Sequence, residues 1–237
     1  MVEKKRTFRY TARMAGYLYL ALAISGAIGI MYIPSQIFVT GNFAETAQNI
    51  LQKEFLFRAG VLSNLFCQTL FIFLVMTLYR LFVQVNILLA RIMVALVMVA
   101  VPIAYFIIFN QLFALTILKE DFMIIFEPAQ RQALAQVFLK MYNNGILVIG
   151  IFWGLWLIPF GQLVFRSGFM PKILGILLII GGVTYVIDTV TFILLPKFHT
   201  QTSSLVGIAS SVAELAMVLW LLIKGVQNNK ASELMMD

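Results

Sequence analysis

The sequence predicts an all-α, polytopic transmembrane helical bundle of six spans, with the N-terminus and C-terminus both cytoplasmic. Composition is the first observation behind this reading: of 237 residues, 62% are hydrophobic and only 11% charged, and mean hydropathy is +0.96. A soluble domain carries roughly 25% charged residues, so the missing polar surface implies lipid as the solvent. The second observation is that the apolar residues gather into runs long enough to cross the hydrocarbon core, which takes about 20 helical residues. The third is that no Pro-, Ser- or charge-rich linker divides the chain, so residues 1–237 read as a single integral membrane domain.

The first run, 14–39, follows Lys4, Lys5 and Arg6 and imitates a signal peptide, down to the triplet Ala21-Leu22-Ala23. Its uncharged stretch outlasts the roughly 7–15 residues of a signal h-region, so an uncleaved helix is expected. The second run covers 58–78. The third, 87–118, is longer than a crossing requires, and Pro102 is placed to kink it or lengthen its path. The fourth, 144–165, should bend at Pro159. Pro171 opens the fifth, 171–195, at the first helical position, where its missing N–H costs nothing. The sixth covers 203–223. Two connections carry helical patterns of their own. Asn42 is placed to cap an amphipathic helix over 43–57, with Ile50, Leu51 and Phe55 opposed to Glu45, Gln48, Gln52 and Lys53. Glu127-Pro128 is placed to open a second over 128–142, with Leu134, Val137, Phe138 and Met141 opposed to Arg131, Gln132, Gln136 and Lys140. Both are expected as external interfacial helices or as extensions of spans two and four.

A net charge of +7 and a pI near 9.6 would suit a nucleic-acid partner, but the placement of the basic residues answers to topology instead. With the N-terminus inside, eleven of the 17 lysines and arginines flank the cytoplasmic side, among them Lys4, Arg13, Arg80, Arg91, Arg166, Lys172 and Lys224. Six fall outside: Lys53, Arg58, Lys119, Arg131, Lys140 and Lys197. Glu45, Glu54, Glu120, Asp121 and Glu127 join the outer set, which sharpens the bias. Cys67, the lone cysteine, excludes an intrachain disulfide and reads as a small buried hydrophobe.

Enzymatic signatures are missing from the sequence: there is no G-x-S-x-G elbow, phosphate-cradling glycine loop, H-E-x-x-H or Cys/His cluster. No catalytic residue, cofactor or metal is therefore expected. His199 is placed in an external loop as a surface residue. The informative residues are polar ones inside spans, which are costly in lipid. Glu214 lies ten residues before Lys224, about 15 Å by helical rise, and so near the midplane. Gly207, Ser210 and Ser211 share its face at i−7, i−4 and i−3. That stripe reads either as a proton, cation or ligand site, or as a structural acid amid close-packing small residues. Asp188 and Arg58 lie at matching depths in the outer half and are expected to pair. Gly60, Asn64 and Gln68 form a stripe at i+4 steps, and Asn110, Gln111, Asn143 and Asn144 fall in or beside the outer halves of their spans. A water-accessible vestibule or a dry interhelical network would equally satisfy these groups. Gly150-x-x-x-Gly154, Ser25-x-x-x-Gly29 and Gly207-x-x-x-Ser211 favour close helix approach.

Several strings carry a resemblance: Ala12-Arg13-Met14-Ala15-Gly16-Tyr17-Leu18-Tyr19-Leu20, Phe165-Arg166-Ser167-Gly168-Phe169-Met170-Pro171-Lys172, and Glu214-Leu215-Ala216-Met217 through Lys224-Gly225. With Phe57-Arg58-Ala59-Gly60 and Tyr185-Val186-Ile187-Asp188 they run in order along nearly the whole chain. The chain resembles a bacterial integral-membrane family labelled only as a domain of unknown function. That resemblance implies a multi-pass protein of the bacterial inner membrane and supplies no activity.

The functional expectation is a small transporter or ligand-binding membrane protein with an outward-facing polar cavity. Its expected lining is Glu214, Asp188, Arg58, Asn64, Gln68, Asn110, Asn143, Asn144, Ser210 and Ser211. The alternative is a structural or accessory membrane subunit, and the third reading a membrane-embedded lipid-modifying enzyme. The expected partner is the lipid bilayer, with a small-molecule, ion or lipid ligand left open and no nucleic acid.

Overall fold

The computed structural model describes residues 2–119 and 126–226. Glu120 and Asp121, used above in the topology argument, lie outside them, as does Lys230. Among the described residues the chain is 90% helical with no strand. Six helices are long and apolar enough to cross a membrane: Phe8–Ile37, Glu54–Phe82, Ile87–Leu118, Pro128–Ser167, Lys172–Leu194 and Val206–Ile223. The predicted all-helical, multi-span fold class is the one observed.

Helix α1, Val2–Gly26, passes into a π-helical segment, Ala27–Tyr32, and then into α2, Ile33–Ile37. Backbone N–H of Ile33 bonds Ile28 O, the five-residue spacing of a π turn. Helix α3, Phe43–Gln52, starts where expected, with the Asn42 side chain accepting from Glu45 N at 3.1 Å. It does not run on to residue 57. Lys53 leaves helical geometry (φ −110, ψ 37), and α4, Glu54–Phe82, begins afresh. Helix α5, Ile87–Leu118, follows a tight turn in which Asn86 Oδ1 accepts from Leu89 N. Helix α6, Pro128–Ser167, continues through Pro159 for 40 residues. At 1.5 Å per residue that is about 60 Å, twice the hydrocarbon thickness, so part of it projects beyond the apolar layer. Gly168, with φ +69, supplies the left-handed residue that ends α6.

Helices α7, Lys172–Leu194, and α8, Pro196–Ile223, are separated by Leu195 alone. The loop expected over 196–202 is helical instead. Pro196 sits in the first turn of α8, where a proline is pre-set for the helix and its missing N–H is not needed. His199 is thereby moved from a loop into the start of α8.

The helices contribute to two compact units: residues 1–20, 70–101 and 147–237 in the first, 21–69 and 102–146 in the second. In the first unit, aromatic rings fill the core. Trp156 stacks on Phe160 and meets Phe71 edge-on at 4.9 Å, while Phe82 touches Phe160 and Phe169. Helices α6 and α7 approach there at two glycine pairs. Cβ atoms added at Gly161 or Gly182 would stand 2.6 Å from the carbonyl oxygens of Gly175 or Gly154 respectively. The pairs lie seven residues apart on each helix, two turns along one face.

The second unit is stitched by α4 side chains bonding backbone carbonyls of the first span. Ser63 Oγ donates to Ser25 O at 2.9 Å, Asn64 Nδ2 to Gly29 O at 3.4 Å, and Cys67 Sγ to Leu22 O at 3.5 Å. Cys67 is buried, as its apolar surroundings in sequence suggested. Helix α3 is strapped to the end of the first span: Val39 N donates to Thr46 Oγ1, Asn49 Nδ2 to Ile37 O, and Lys53 Nζ to Gln36 O.

Candidate functional site

In the first unit the α8 carboxyl of Glu214 receives hydroxyls from two other helices. Tyr19 on α1 donates to Glu214 Oε2 at 2.8 Å, and Tyr185 on α7 to Oε1 at 3.4 Å. Each tyrosine is set by an aromatic neighbour. Tyr19, fully buried, leans on Trp156 at 6.2 Å, and Tyr185 meets Trp153 edge-on at 6.4 Å. Glu214 itself is half-buried. Sequence reasoning found the acid and missed both hydroxyls, since a tyrosine in a span looks like any interfacial or packing aromatic. Their only signal was position: Tyr19 and Tyr185 fall well inside runs of apolar residues.

The small stripe around Glu214 divides. Ser210 is buried and bonds Val206 O at 2.9 Å. Gly207 and Ser211 are exposed, and a Cβ at Gly207 would meet nothing within 4 Å. The face at i−3 and i−7 therefore turns away from the packed side, and that motif does not mark a helix crossing in this unit.

Asp188 and Arg58 each meet a partner within their own unit. Asp188 Oδ1 lies 3.3 Å from His199 Nε2 across the α7–α8 turn, with both side chains largely covered (15% and 17% exposed). The two atoms approach without aligned hydrogen-bond geometry. Phe192 holds the imidazole edge-on at 5.2 Å. Arg58 is half-exposed, and its Nε bonds Glu54 Oε1 at 2.7 Å along α4. Both partners sit nearby in sequence, Glu54 one turn away and His199 brought in by the helical start of α8.

The amide residues sort by burial. Asn64, Gln68, Asn110 and Gln111 are buried, whereas Asn143 and Asn144 are exposed. Asn64 Nδ2 also reaches the Tyr142 hydroxyl at 3.1 Å, and Asn110 Nδ2 turns back to the carbonyls of Phe106 and Ile107. These bonds are interhelical for Asn64 and local for Asn110.

A cleft of ≈ 970 Å³ opens elsewhere in the second unit, lined by residues of α3 and the adjoining ends of α4, α5 and α6, Glu45, Glu54, Lys119 and Arg131 among them. None of the ten residues expected to line a cavity lines this one. No group of three or more His, Cys, Asp or Glu side chains among the described residues is placed to hold a metal ion.

A chain with these helices, burying an acid between hydroxyls, is a multi-pass helical membrane protein. It belongs to the family DUF4386, described as a domain of unknown function, whose model matches residues 14–225. It is also similar to an uncharacterized protein of the archaeon Archaeoglobus fulgidus, 32% identical over 112 residues. That match covers 47% of this chain and 65% of the archaeal one, just under two thirds of its length. That relative is archaeal, so the likeness does not bear out the bacterial source expected from the sequence. No solved structure matches the chain.

Proposed function

We propose that this protein is a small transporter, or ligand-binding protein, of the cell membrane in which Glu214 takes up and releases a proton or cation. The observation that carries the reading is the Tyr19–Glu214–Tyr185 set. A carboxyl inside a span is expensive and by default marks a pathway or a ligand. Its partners here are hydroxyls, which donate or accept. The same three groups thus accommodate the charged or the neutral acid by turning hydroxyl hydrogens, with no heavy-atom movement. A lysine or arginine partner would instead hold the acid ionised. From Tyr185 the polar groups continue one turn along α7 to Asp188 and on to His199. The basic-residue bias further supports both termini on the cytoplasmic side.

The second reading, a scaffold subunit, is favoured by the same hydrogen bonds, because an acid with both oxygens met is also a sound interhelical lock. The third reading, an enzyme acting on lipid, has no nucleophile motif in the sequence to support it.

Infrared difference spectroscopy on the purified protein, wild type against Glu214→Gln, separates the two. A functional acid gives a Glu214-dependent carboxyl band that changes reversibly as pH is cycled over the range where the fold persists, and that shifts promptly in D2O. A band that neither titrates nor exchanges there would overturn the transport reading and leave the scaffold.

A further inference from the structure

We infer that a band of seven exposed basic side chains at one end of the first unit binds anionic phospholipid by its phosphates. The inference is independent of Glu214 and of any transport.

Packing brings the bases to one level. Phe169, in the α6–α7 turn, meets Phe8 of α1 edge-on at 5.3 Å and stacks on Phe82 of α4 at 5.6 Å. Past the end of α8, a Cβ at Gly225 would stand 3.7 Å from Ala12 on α1. Each contact has a base beside it. Arg9 and Arg13 follow Phe8 and Ala12 directly, Arg80 comes just before Phe82, Arg166 and Lys172 flank Phe169, and Lys224 precedes Gly225. Arg91 lies in the first turns of α5, just past the α4–α5 turn. Three residues of helix rise only about 4.5 Å, so these contacts gather the band at one end of the unit. All seven side chains are exposed.

The acids missing from this end set the sign of the ligand. Over residues 8–225 the unit contains only Asp188 and Glu214 as acids. Asp188 meets His199 beside the α7–α8 turn, and Glu214 lies well inside α8. None of the seven bases has an ion pair among the described residues. Lys172 Nζ sits 5.2 Å over the Phe165 ring, a contact that leaves its N–H donors to other groups. In the second unit, by contrast, Arg58 and Lys119 are both paired with Glu54. Residues 1–7 and 226–237 do not reverse the sign. They hold the bases Lys4, Lys5, Arg6 and Lys230 and the acids Glu3, Glu233 and Asp237, which adds one further positive charge. Membrane orientation is governed by lysine and arginine, and acids count for little in it. Orientation alone would therefore leave acids free to appear here, and it does not account for bases without partners.

Apolar neighbours select lipid over a soluble polyanion. Tyr10, Ile173 and Ile223, each next in sequence to a base, are 66%, 58% and 66% exposed. A phospholipid offers its phosphate to the base and its acyl chain to the neighbour. The band sits at the ends of membrane-crossing helices, the depth at which headgroups are concentrated. A soluble polyanion would have to reach the bases past the lipid covering these apolar faces. Among lipids, a headgroup bearing its own ammonium returns a positive charge to the band, so a net-negative headgroup fits best.

The test uses the full-length protein in detergent, titrated with phosphatidylglycerol and phosphatidylethanolamine of identical chains, and separately with free glycerol phosphate and polyglutamate. Retention is read by native mass spectrometry and stabilisation by thermal unfolding. A base near an anionic surface is worth about fivefold in affinity. A headgroup meeting two of them should favour phosphatidylglycerol by about 25-fold at low salt, and by less as salt screens the charges. Neutralising the bases nearest Phe169 together, with Arg9→Gln, Arg166→Gln and Lys172→Gln, should cut that preference to below about fivefold. Exchanging the same three as Arg9→Lys, Arg166→Lys and Lys172→Arg should keep it, and Lys197→Gln, beside the α7–α8 turn, should change nothing. Equal retention of the two lipids at low salt, a preference unmoved by salt, or one that the neutralised variant keeps would overturn the inference. Stabilisation by polyglutamate or glycerol phosphate equal to that by phosphatidylglycerol would overturn it as well, by assigning the band to an acidic protein or a water-borne phosphate.

Discussion

Substituting Gly175 by alanine should cost far more than one methyl group suggests. A Cβ at this position would stand 2.5 Å from Gly161 O and 2.8 Å from Phe165 N. Ordinary contact begins near 3.4 Å, so alanine demands 3.4 − 2.5 = 0.9 Å of extra space between two helix backbones. Neither obstacle is a side chain able to swing aside. A gap of 0.5–1 Å forfeits roughly a quarter to a half of each dispersion contact it opens. Because helices are stiff over two turns, the Gly154–Gly182 pair would loosen together with Gly161–Gly175. Overpacking costs about 1–3 kcal/mol, and the gain in helix propensity from glycine to alanine returns at most about 1 kcal/mol. Since backbone must move, a net loss of about 2 kcal/mol is expected. Equilibrium unfolding in mild detergent measures it, with Gly207→Ala as the internal control. That alanine meets nothing within 4 Å and should be neutral or slightly stabilising. If Gly175→Ala unfolds within about 0.5 kcal/mol of Gly207→Ala, the spread of an ordinary surface change, the reasoning from backbone contact fails.

Asn64→Ala removes the bonds to Gly29 O and the Tyr142 hydroxyl inside a buried contact. It should destabilise by about 1–3 kcal/mol in the same unfolding assay, and a variant indistinguishable from wild type would show those bonds to be idle. Reporter fusions near Arg6 and after Lys230 should both report cytoplasm and one near Lys53 the opposite side, and a C-terminal fusion active outside would refute the even-numbered topology.

The spans were legible because a run of apolar residues has one physical explanation in lipid, and small errors at their ends left the fold class untouched. Asn42 was legible as a cap because a side-chain oxygen three residues before a backbone N–H is a local geometry. What stayed hidden depended on helix rotation. Gly150-x-x-x-Gly154 and Gly207-x-x-x-Ser211 are equivalent as motifs, yet Gly154 presses on the Gly182 carbonyl and Gly207 faces open space. The seven-residue spacings 154–161 and 175–182 carried the better signal, since two matched pairs on antiparallel neighbours are harder to obtain by chance than one. Local charge partners were hidden in another way. Arg58 and Asp188 were matched by depth, whereas Arg58 took the local partner Glu54 and Asp188 took His199, whose place depended on Pro196 starting a helix at once. Glu214 could be found from its cost in lipid, but its two hydroxyl donors could not, because tyrosine is at home both in packing and at interfaces.

The single residue between α7 and α8 bears on how the protein enters the bilayer. With only Leu195 as a joint, the two apolar helices have almost no slack with which to be threaded one after the other. Exposing either alone to water during synthesis would uncover a face that the other covers. They are best pictured as one insertion unit, a closed pin. The Asp188–His199 contact sits beside its tip, so these two polar side chains are partnered wherever the tip goes. Lengthening the joint with a flexible spacer would let the arms part before insertion. The damage should then appear in the yield of inserted chains, with the stability of those that arrive left nearly unchanged.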